Sequence, residues 1–300
     1  MAFVLTLIAD PSRRKLSAQA VDAARTALTS GGGNVGPSDW LSPDEACDLP
    51  FEGLSTLDAE RLVREALRDL PVDLAAQPLA GRRKALLLAD MESTIIAEEM
   101  LDELAETVGL RDEIAEVTAR AMSGDLDFEE ALEARVAKLA GLPLGEVERA
   151  AERMTFNPGA RSLIRSLRAA GVPCILVSGG FTIFADLVAE ACGFSAVRAN
   201  VLEIEAGKLS GGVHKPILGR KAKLDALERL SAELSVTPAA ACTVGDGAND
   251  LAMLNAAGLG VAYRGKPAVR AAARYALDVA DLTGLLFYQG YRRADFAELG

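Results

Sequence analysis

The chain has 300 residues, half of them hydrophobic and a quarter charged, with a formal net charge of −11. Such proportions belong to ordinary globular proteins, and the length points to one large domain with a smaller partner. The acidic balance argues against a nucleic-acid surface, which needs clustered Lys and Arg, and any anionic substrate would need a strong local positive source.

Phe3 to Ile8 reads as a strand ending at Asp10, with no basic flank of the kind that marks a signal peptide. No stretch of the chain is long and apolar enough to span a bilayer. Asp10-Pro11-Ser12 is expected to open an amphipathic helix, with Arg13, Arg14 and Lys15 on its solvated face. Residues 30–53, rich in Gly, Pro, Asp and Ser, read as loops with short strands. Leu57 to Leu70 reads as a second helix ended by Pro71. Residues 1–80 therefore form a small α/β unit, and Gly81-Arg82-Arg83-Lys84 a linker to residues 81–300.

The pattern then changes. Ala85-Leu86-Leu87-Leu88-Ala89-Asp90 is a continuous apolar run, as expected of a strand buried on both faces of a parallel sheet. Pro173 to Ser178 and Ala241 to Asp246 repeat the form, and Leu259 to Ala262 is a shorter fourth run. Helical segments separate them, so the class is α/β with a doubly wound parallel sheet. Open sheets of this kind bind ligands at the carboxyl ends of their strands, which predicts that Asp90, Ser178 and Asp246 converge. The stretch from Asp90 to Cys174 is too long for one crossover, since such loops usually take about 2–6 residues. Its helical middle, about residues 100–155, is expected to sit over the strand ends as a cap, with Met100, Leu101, Leu104 and Val108 as one apolar stripe. Val197 to Val213, turning at Glu205-Ala206-Gly207-Lys208, reads as a β-hairpin insertion.

Cys47, Cys174, Cys192 and Cys242 are scattered, with no C-x-x-C pair and no zinc spacing; the last three sit in apolar or Ala-rich context, so the reading is buried free thiols, which fits a reducing cytoplasm. The single histidine, His214, would have to carry any histidine-dependent phosphatase, zinc or Ser-His-Asp chemistry alone; just past the hairpin, it reads as structural.

Asp90-Met91-Glu92-Ser93-Thr94 follows a buried strand and is expected to open a helix, whose N–H dipoles would keep Asp90 ionised for nucleophilic attack. Taken alone, Asp90 reads equally well as a plain helix cap. Gly245-Asp246-Gly247-Ala248-Asn249-Asp250 adds two carboxylates and an amide at another strand end, a hard-oxygen set suited to Mg²⁺ in company with Asp90. Ser178-Gly179-Gly180 offers a hydroxyl and adjacent N–H groups as an anion cradle. Lys223 supplies a point charge if its helix turns it inward; otherwise it is a solvated lysine.

Together these segments resemble the haloacid dehalogenase superfamily, in motif order: Asp90–Thr94, Ser178-Gly179, Lys223, and Gly245 to Asp250. Glu99, then Arg120-Ala121-Met122-Ser123-Gly124 leading to Phe128 and Arg135, and Ser178 to Thr182, are similar to its phosphoserine phosphatase branch. The likeness covers roughly residues 83–290. It implies a Mg²⁺-dependent phosphatase that forms an aspartyl-phosphate on Asp90, with Mg²⁺ at Asp90, the Glu92 carbonyl and Asp246, and Asp250 orienting Lys223 or a metal-bound water. It implies phosphoryl contacts from Ser178, Gly179, Lys223 and Asn249, and a cap pocket of Glu99, Met122, Phe128 and Arg135 for the amino-acid part of phosphoserine. Phe128 and Met122 read equally as cap core. Residues 1–80 look like the small amino-acid-binding-type domains that precede some bacterial members, which implies homodimerisation or feedback.

One departure stands out. The superfamily usually has Asp two residues after the nucleophile, and this chain has Glu92. Glutamate can still protonate a leaving alkoxide and activate water, with its carboxyl displaced by one C–C bond. Two other functions remain open: a phosphatase or phosphotransferase for another small ester such as phosphohomoserine, and a non-catalytic amino-acid sensor.

Overall fold

The computed structural model describes residues 1–123, 127–219 and 221–297, without the side chains of residues 118–123. The first unit comprises β1 (Phe3–Ile8), α1 (Ala18–Ser30), β2 (Asn34–Val35), β3 (Asp39–Ser42), β4 (Ala46–Glu52), α2 (Thr56–Ala66) and β5 (Asp73–Pro78). Its sheet is antiparallel, ordered β2-β4-β1-β5 with β3 also paired to β4. The first helix starts later than expected. Asp10 instead closes a local turn, accepting from the Ser12 N–H and hydroxyl while its carbonyl takes the N–H groups of Arg13 and Arg14. Ser17 then caps α1 through the Ala20 N–H.

The second unit is built on a six-stranded parallel sheet, ordered β13-β12-β11-β6-β7-β8. Its strands are β6 (Leu86–Ala89), β7 (Cys174–Phe181), β8 (Ala196–Asn200), β11 (Ala241–Gly245), β12 (Leu259–Tyr263) and β13 (Tyr275–Leu277). β6 is apolar on both faces for the expected reason: Leu87 and Ala89 join one core cluster, Leu86 and Leu88 another. Among the flanking helices are α7 (Ala160–Ala169), α8 (Thr182–Cys192), α9 (Ala222–Glu233), α10 (Leu251–Ala256), α11 (Pro267–Ala272) and α12 (Gly284–Tyr288). Because β11, β6 and β7 are neighbours, their carboxyl ends bring Asp246, Asp90 and Ser178 side by side.

Two insertions interrupt this sheet. After β6 come α3 (Met100–Thr107), α4 (Arg111–Ser123), α5 (Phe128–Ala137) and α6 (Leu144–Ala151). After β8 comes a hairpin, β9 (Leu202–Glu205) and β10 (Lys208–Val213). Val197 to Asn200, expected as part of that hairpin, instead form the parallel edge strand β8 on β7, so the hairpin proper starts at Leu202. The hairpin is stitched to the helical insertion: Leu209 exchanges backbone hydrogen bonds with Gly141 and Leu142 at 2.8 and 2.9 Å, and Leu144 N–H donates to Gly207.

The first unit is docked on the second through the open face of its sheet. One face is covered by α1 and α2, where Val21, Ala24, Leu28, Ala59 and Val63 meet Leu5, Leu49 and Phe51. On the other, Ile8, Ala46 and Ala75 join the core that holds Phe287, Tyr288 and Tyr291. Arg82, expected as linker, is buried here; it pairs with Asp48 and donates to Thr6 Oγ1 at 2.7 Å and to the Tyr288 and Phe287 carbonyls at 2.8 and 2.9 Å. Asp73 caps the chain beyond β13, taking the N–H groups of Asp278, Val279 and Ala280.

Candidate active site

Asp90 sits just past β6, 6% exposed, with its N–H bonded to the Val244 carbonyl of β11. The expected helix does not follow. Residues 91–96 form a tight turn in which the Met91 carbonyl accepts from Ile95 and Ile96, and Ser93 adopts φ 56°. The positive partner of Asp90 is therefore a side chain and not a helix end. Lys223 Nζ lies 2.7 Å from Asp90 Oδ1 and 2.5 Å from Asp250 Oδ1.

Lys223 occupies the first turn of α9 and is buried, its side chain turned into the site. Burial opposes its charge, but Asp90 and Asp250 outweigh that and hold its pKa above the usual lysine value. Asp250 is fully buried; its Oδ2 takes the backbone N–H groups of Asp246 and Gly247 at 3.1 and 2.9 Å. That geometry needs Gly245, where a Cβ would meet the Asp250 carboxylate at 2.4 Å. Asp246 has Thr94 Oγ1 at 3.4 Å and the exposed Lys266 Nζ at 3.8 Å.

Asp90, Asp246 and Asp250 bring carboxylate oxygens within 4.8 Å of one another, all buried. Burial drives the pKa of Asp90 and Asp246 upward; Lys223 beside Asp90 and the exposed Lys266 beside Asp246 offset it only in part, and the neighbouring Asp250 carboxylate adds to the rise. Three carboxylates facing one buried ammonium leave surplus negative charge in a set of hard oxygen donors, which fits a divalent cation.

Beside this cluster is a small pocket lined by Phe128, Ser178, Gly179, Leu218, Gly219, Lys223 and Asn249, among others. Ser178 ends no strand, contrary to expectation: β7 runs on to Phe181, with a register break between Val177 and Phe181 that bulges Ser178-Gly179-Gly180 into the site. Ser178 Oγ accepts the Gly180 N–H at 2.9 Å. Phe128, at the start of α5, comes within 3.4 Å of where a Gly179 Cβ would stand. A larger cleft of about 730 Å³ adjoins the pocket across Phe128, Leu218 and Gly219.

Glu92 Oε1 accepts the Met100 N–H, at the first residue of α3, at 2.9 Å. Its pKa is raised to about 7, by burial first and then by Glu99. The longer side chain lies over Gly180, where a Cβ would come 2.9 Å from Glu92 Oε2. Glu99 is exposed and accepts from Ser93 Oγ at 2.8 Å. Arg135, on α5, donates Nε to the Ala131 carbonyl at 3.2 Å, which leaves its terminal nitrogens without a hydrogen-bond or ion-pair partner among the described residues. Burial lowers its pKa, opposed by Asp102, Glu92 and Glu99 nearby.

The fold thus gathers Asp90, Glu92, Glu99, Phe128, Arg135, Ser178, Gly179, Lys223, Asp246, Asn249 and Asp250 at one end of the sheet. The side chain of Met122 lies outside the described residues. His214 is exposed and stands apart, bonded through its N–H to the Val201 carbonyl. Sequence reasoning missed Thr94, Asn200 and Lys266. Only Thr94, the last residue of the nucleophile segment, carried a local signal, and it was given no role of its own.

A family model described as haloacid dehalogenase-like hydrolase matches residues 87–255. A phosphoserine phosphatase from Streptomyces coelicolor is 40% identical over 284 residues, covering 93% of this chain and 69% of that protein. One from Lactococcus lactis is 42% identical over 203 residues, covering 68% of this chain and 94% of that protein. The crystal structure of a probable phosphoserine phosphatase from Vibrio cholerae, unliganded, superposes with a TM-score of 0.79 at 31% identity, covering 98% of this chain and 88% of that one.

Proposed function

The chain belongs to the haloacid dehalogenase-like hydrolases, and we propose that it hydrolyses O-phospho-L-serine to serine and phosphate through an aspartyl-phosphate on Asp90, the last step of serine biosynthesis. The observation that carries this reading is the buried Asp90–Lys223–Asp250 chain beside the Ser178–Gly179 pocket. The hydrogen bonds to Asp90 from Met91 and Lys223 both go to Oδ1, which leaves the other oxygen to attack phosphorus.

As the phosphorus–oxygen bond to serine breaks, the Glu92 carboxyl gives its proton to the leaving alkoxide. Deprotonated, it takes a proton from the water that then attacks the aspartyl-phosphate. A pKa near 7 suits a group that must serve in both forms. Ser178, Gly179 N–H, Lys223 and Asn249 hold the phosphoryl oxygens as charge spreads over them. Asp250, its oxygens already taken by Lys223 and two N–H groups, orients the ammonium and the Asp246 backbone.

Mg²⁺ is the cation of choice for these oxygen donors: Asp90, Asp246 and Asp250, with the Glu92 carbonyl, would hold it, and it would neutralise charge on the phosphoryl group. In the cap pocket the fork of Arg135, unpaired among the described residues, suits a carboxylate, and Glu99 an ammonium. Phe128 covers the Gly179 side.

Four buried free thiols fit a reducing compartment, and we place the reaction in the cytoplasm; no described helix is long and apolar enough to cross a membrane. A dimer through residues 1–80 would use the outer edge formed by β2 and β3, because both faces of that sheet are covered. Phosphate release from a panel of phosphoserine, phosphothreonine and phosphohomoserine tests the substrate. Phosphoserine should have the highest kcat/KM, and a preference for phosphohomoserine would overturn the assignment.

A further inference from the structure

We propose that Asn200 is a positioning residue for phosphoryl binding, locking the peptide that aims Ser178; this rests on the reading of Ser178 and Gly179 as the phosphate cradle. Asn200 ends β8, 2% exposed, opposite Phe181 in the register. Its Nδ2 donates to the Gly179 carbonyl at 2.8 Å, and its Oδ1 accepts the Leu218 N–H at 2.7 Å. The Gly179 carbonyl and the Gly180 N–H belong to one peptide group, and that N–H donates to Ser178 Oγ.

A peptide between two glycines meets little steric resistance to rotation. If it turned, Ser178 Oγ would lose its donor and the hydroxyl its direction. With the peptide held, an oxygen lone pair of Ser178 is committed to Gly180, and its O–H is left to donate to a phosphoryl oxygen. Asn200 is the side chain that holds it.

The same amide fixes the loop that closes the pocket. Leu218 and Gly219 line the phosphate pocket, and a Cβ on Gly219 would lie 3.8 Å from Phe128 and 3.6 Å from Glu129 of α5. Two residues beyond Asn200 the hairpin begins that is hydrogen-bonded to the cap at Gly141, Leu142 and Leu144. One buried amide thus joins the cradle strand, the pocket loop and the root of the cap-bound hairpin.

Asn200→Asp separates this role from a merely structural one, since it keeps the acceptor for Leu218 and removes the donor to Gly179. The affinity of the Mg²⁺-loaded protein for inorganic phosphate, by calorimetry, should fall about tenfold, and KM for phosphoserine should rise by a similar factor; the melting temperature should fall as well, because the Gly179 carbonyl loses its buried donor. Phosphate affinity and KM both within twofold of wild type would overturn the proposal. Calorimetry needs no turnover, so a wild type that binds phosphate without hydrolysing phosphoserine defeats the substrate reading alone. A wild type that binds no phosphate defeats both. Should the variant fail to fold, hydrogen exchange at the Leu218 amide in wild type decides: saturating phosphate should slow it, and unchanged exchange would overturn the link.

Discussion

Lys223 Nζ lies 2.7 Å from Asp90 Oδ1, with both side chains buried at the carboxyl end of the central strands. The ammonium opposes the burial that pushes Asp90 toward the neutral acid, and it places positive charge where an acidic protein would otherwise repel a phosphate ester.

Lys223→Met should therefore damage two things. Activity should drop about 100- to 1,000-fold, the usual effect of removing a charge that stabilises a transition state. Stability should fall by about 3–5 kcal/mol in urea unfolding, because Asp90 and Asp250 lose their shared cation. Lys223→Arg should not restore activity, since the planar guanidinium does not fit between the two carboxylates as a point charge does.

Glu92 and Gly180 are a matched pair. Gly180→Ala should reduce kcat strongly, as its Cβ would stand 2.9 Å from Glu92 Oε2 and push the carboxyl aside. Shortening the acid, as Glu92→Asp in the Gly180→Ala background, should relieve the crowding, so the two substitutions should couple in a double-mutant cycle. Glu92→Gln should lower kcat by about 100- to 10,000-fold, the range for loss of a general acid–base; rates equal to wild type would remove Glu92 from the mechanism.

Residues 1–80 should not behave as a detachable module. Arg82→Met leaves Asp48 buried without its cation and should destabilise the protein by about 3–5 kcal/mol. A chain beginning at residue 81 exposes the apolar surface around Phe287, Tyr288 and Tyr291 and should aggregate or melt well below the full protein in calorimetry.

The four thiols should be silent in the native state. Burial lifts Cys47, Cys174 and Cys242 to about 12 and Cys192 to about 11. Thiolate is the reactive form, and it grows only as pH climbs toward those values. At mildly alkaline pH, iodoacetamide should label none of the four by mass spectrometry until denaturant is added, and all four afterwards.

The convergence of Asp90, Ser178 and Asp246 was legible in the sequence because a parallel sheet places ligands at its strand ends; the runs before Asp90 and Asp246 marked such ends, while Ser178 reaches the site from a bulge within β7. Lys223 was legible only through its place in the motif, since one inward lysine in a helix looks like any solvated one. The turn after Asp90 was not legible: Asp-x-x-Ser beside apolar residues favours a helix start locally, and the Met91 carbonyl prevails by closing on Ile95 and Ile96. β4 was hidden by Asp48 and Pro50, residues that usually interrupt strands; Asp48 is tolerated because Arg82, 34 residues away, neutralises it. Asn200 acts through partners at Gly179 and Leu218, contacts that no local pattern encodes.

The covalent role of Asp90 is tested most directly by acid-quenching the Mg²⁺-loaded protein during turnover of phosphoserine and mapping the adduct by mass spectrometry. One phosphoryl group should appear on the peptide containing Asp90, and both adduct and phosphate release should vanish in Asp90→Asn. Sustained phosphate release by Asp90→Asn, with no adduct at that position in the wild type, would contradict the account.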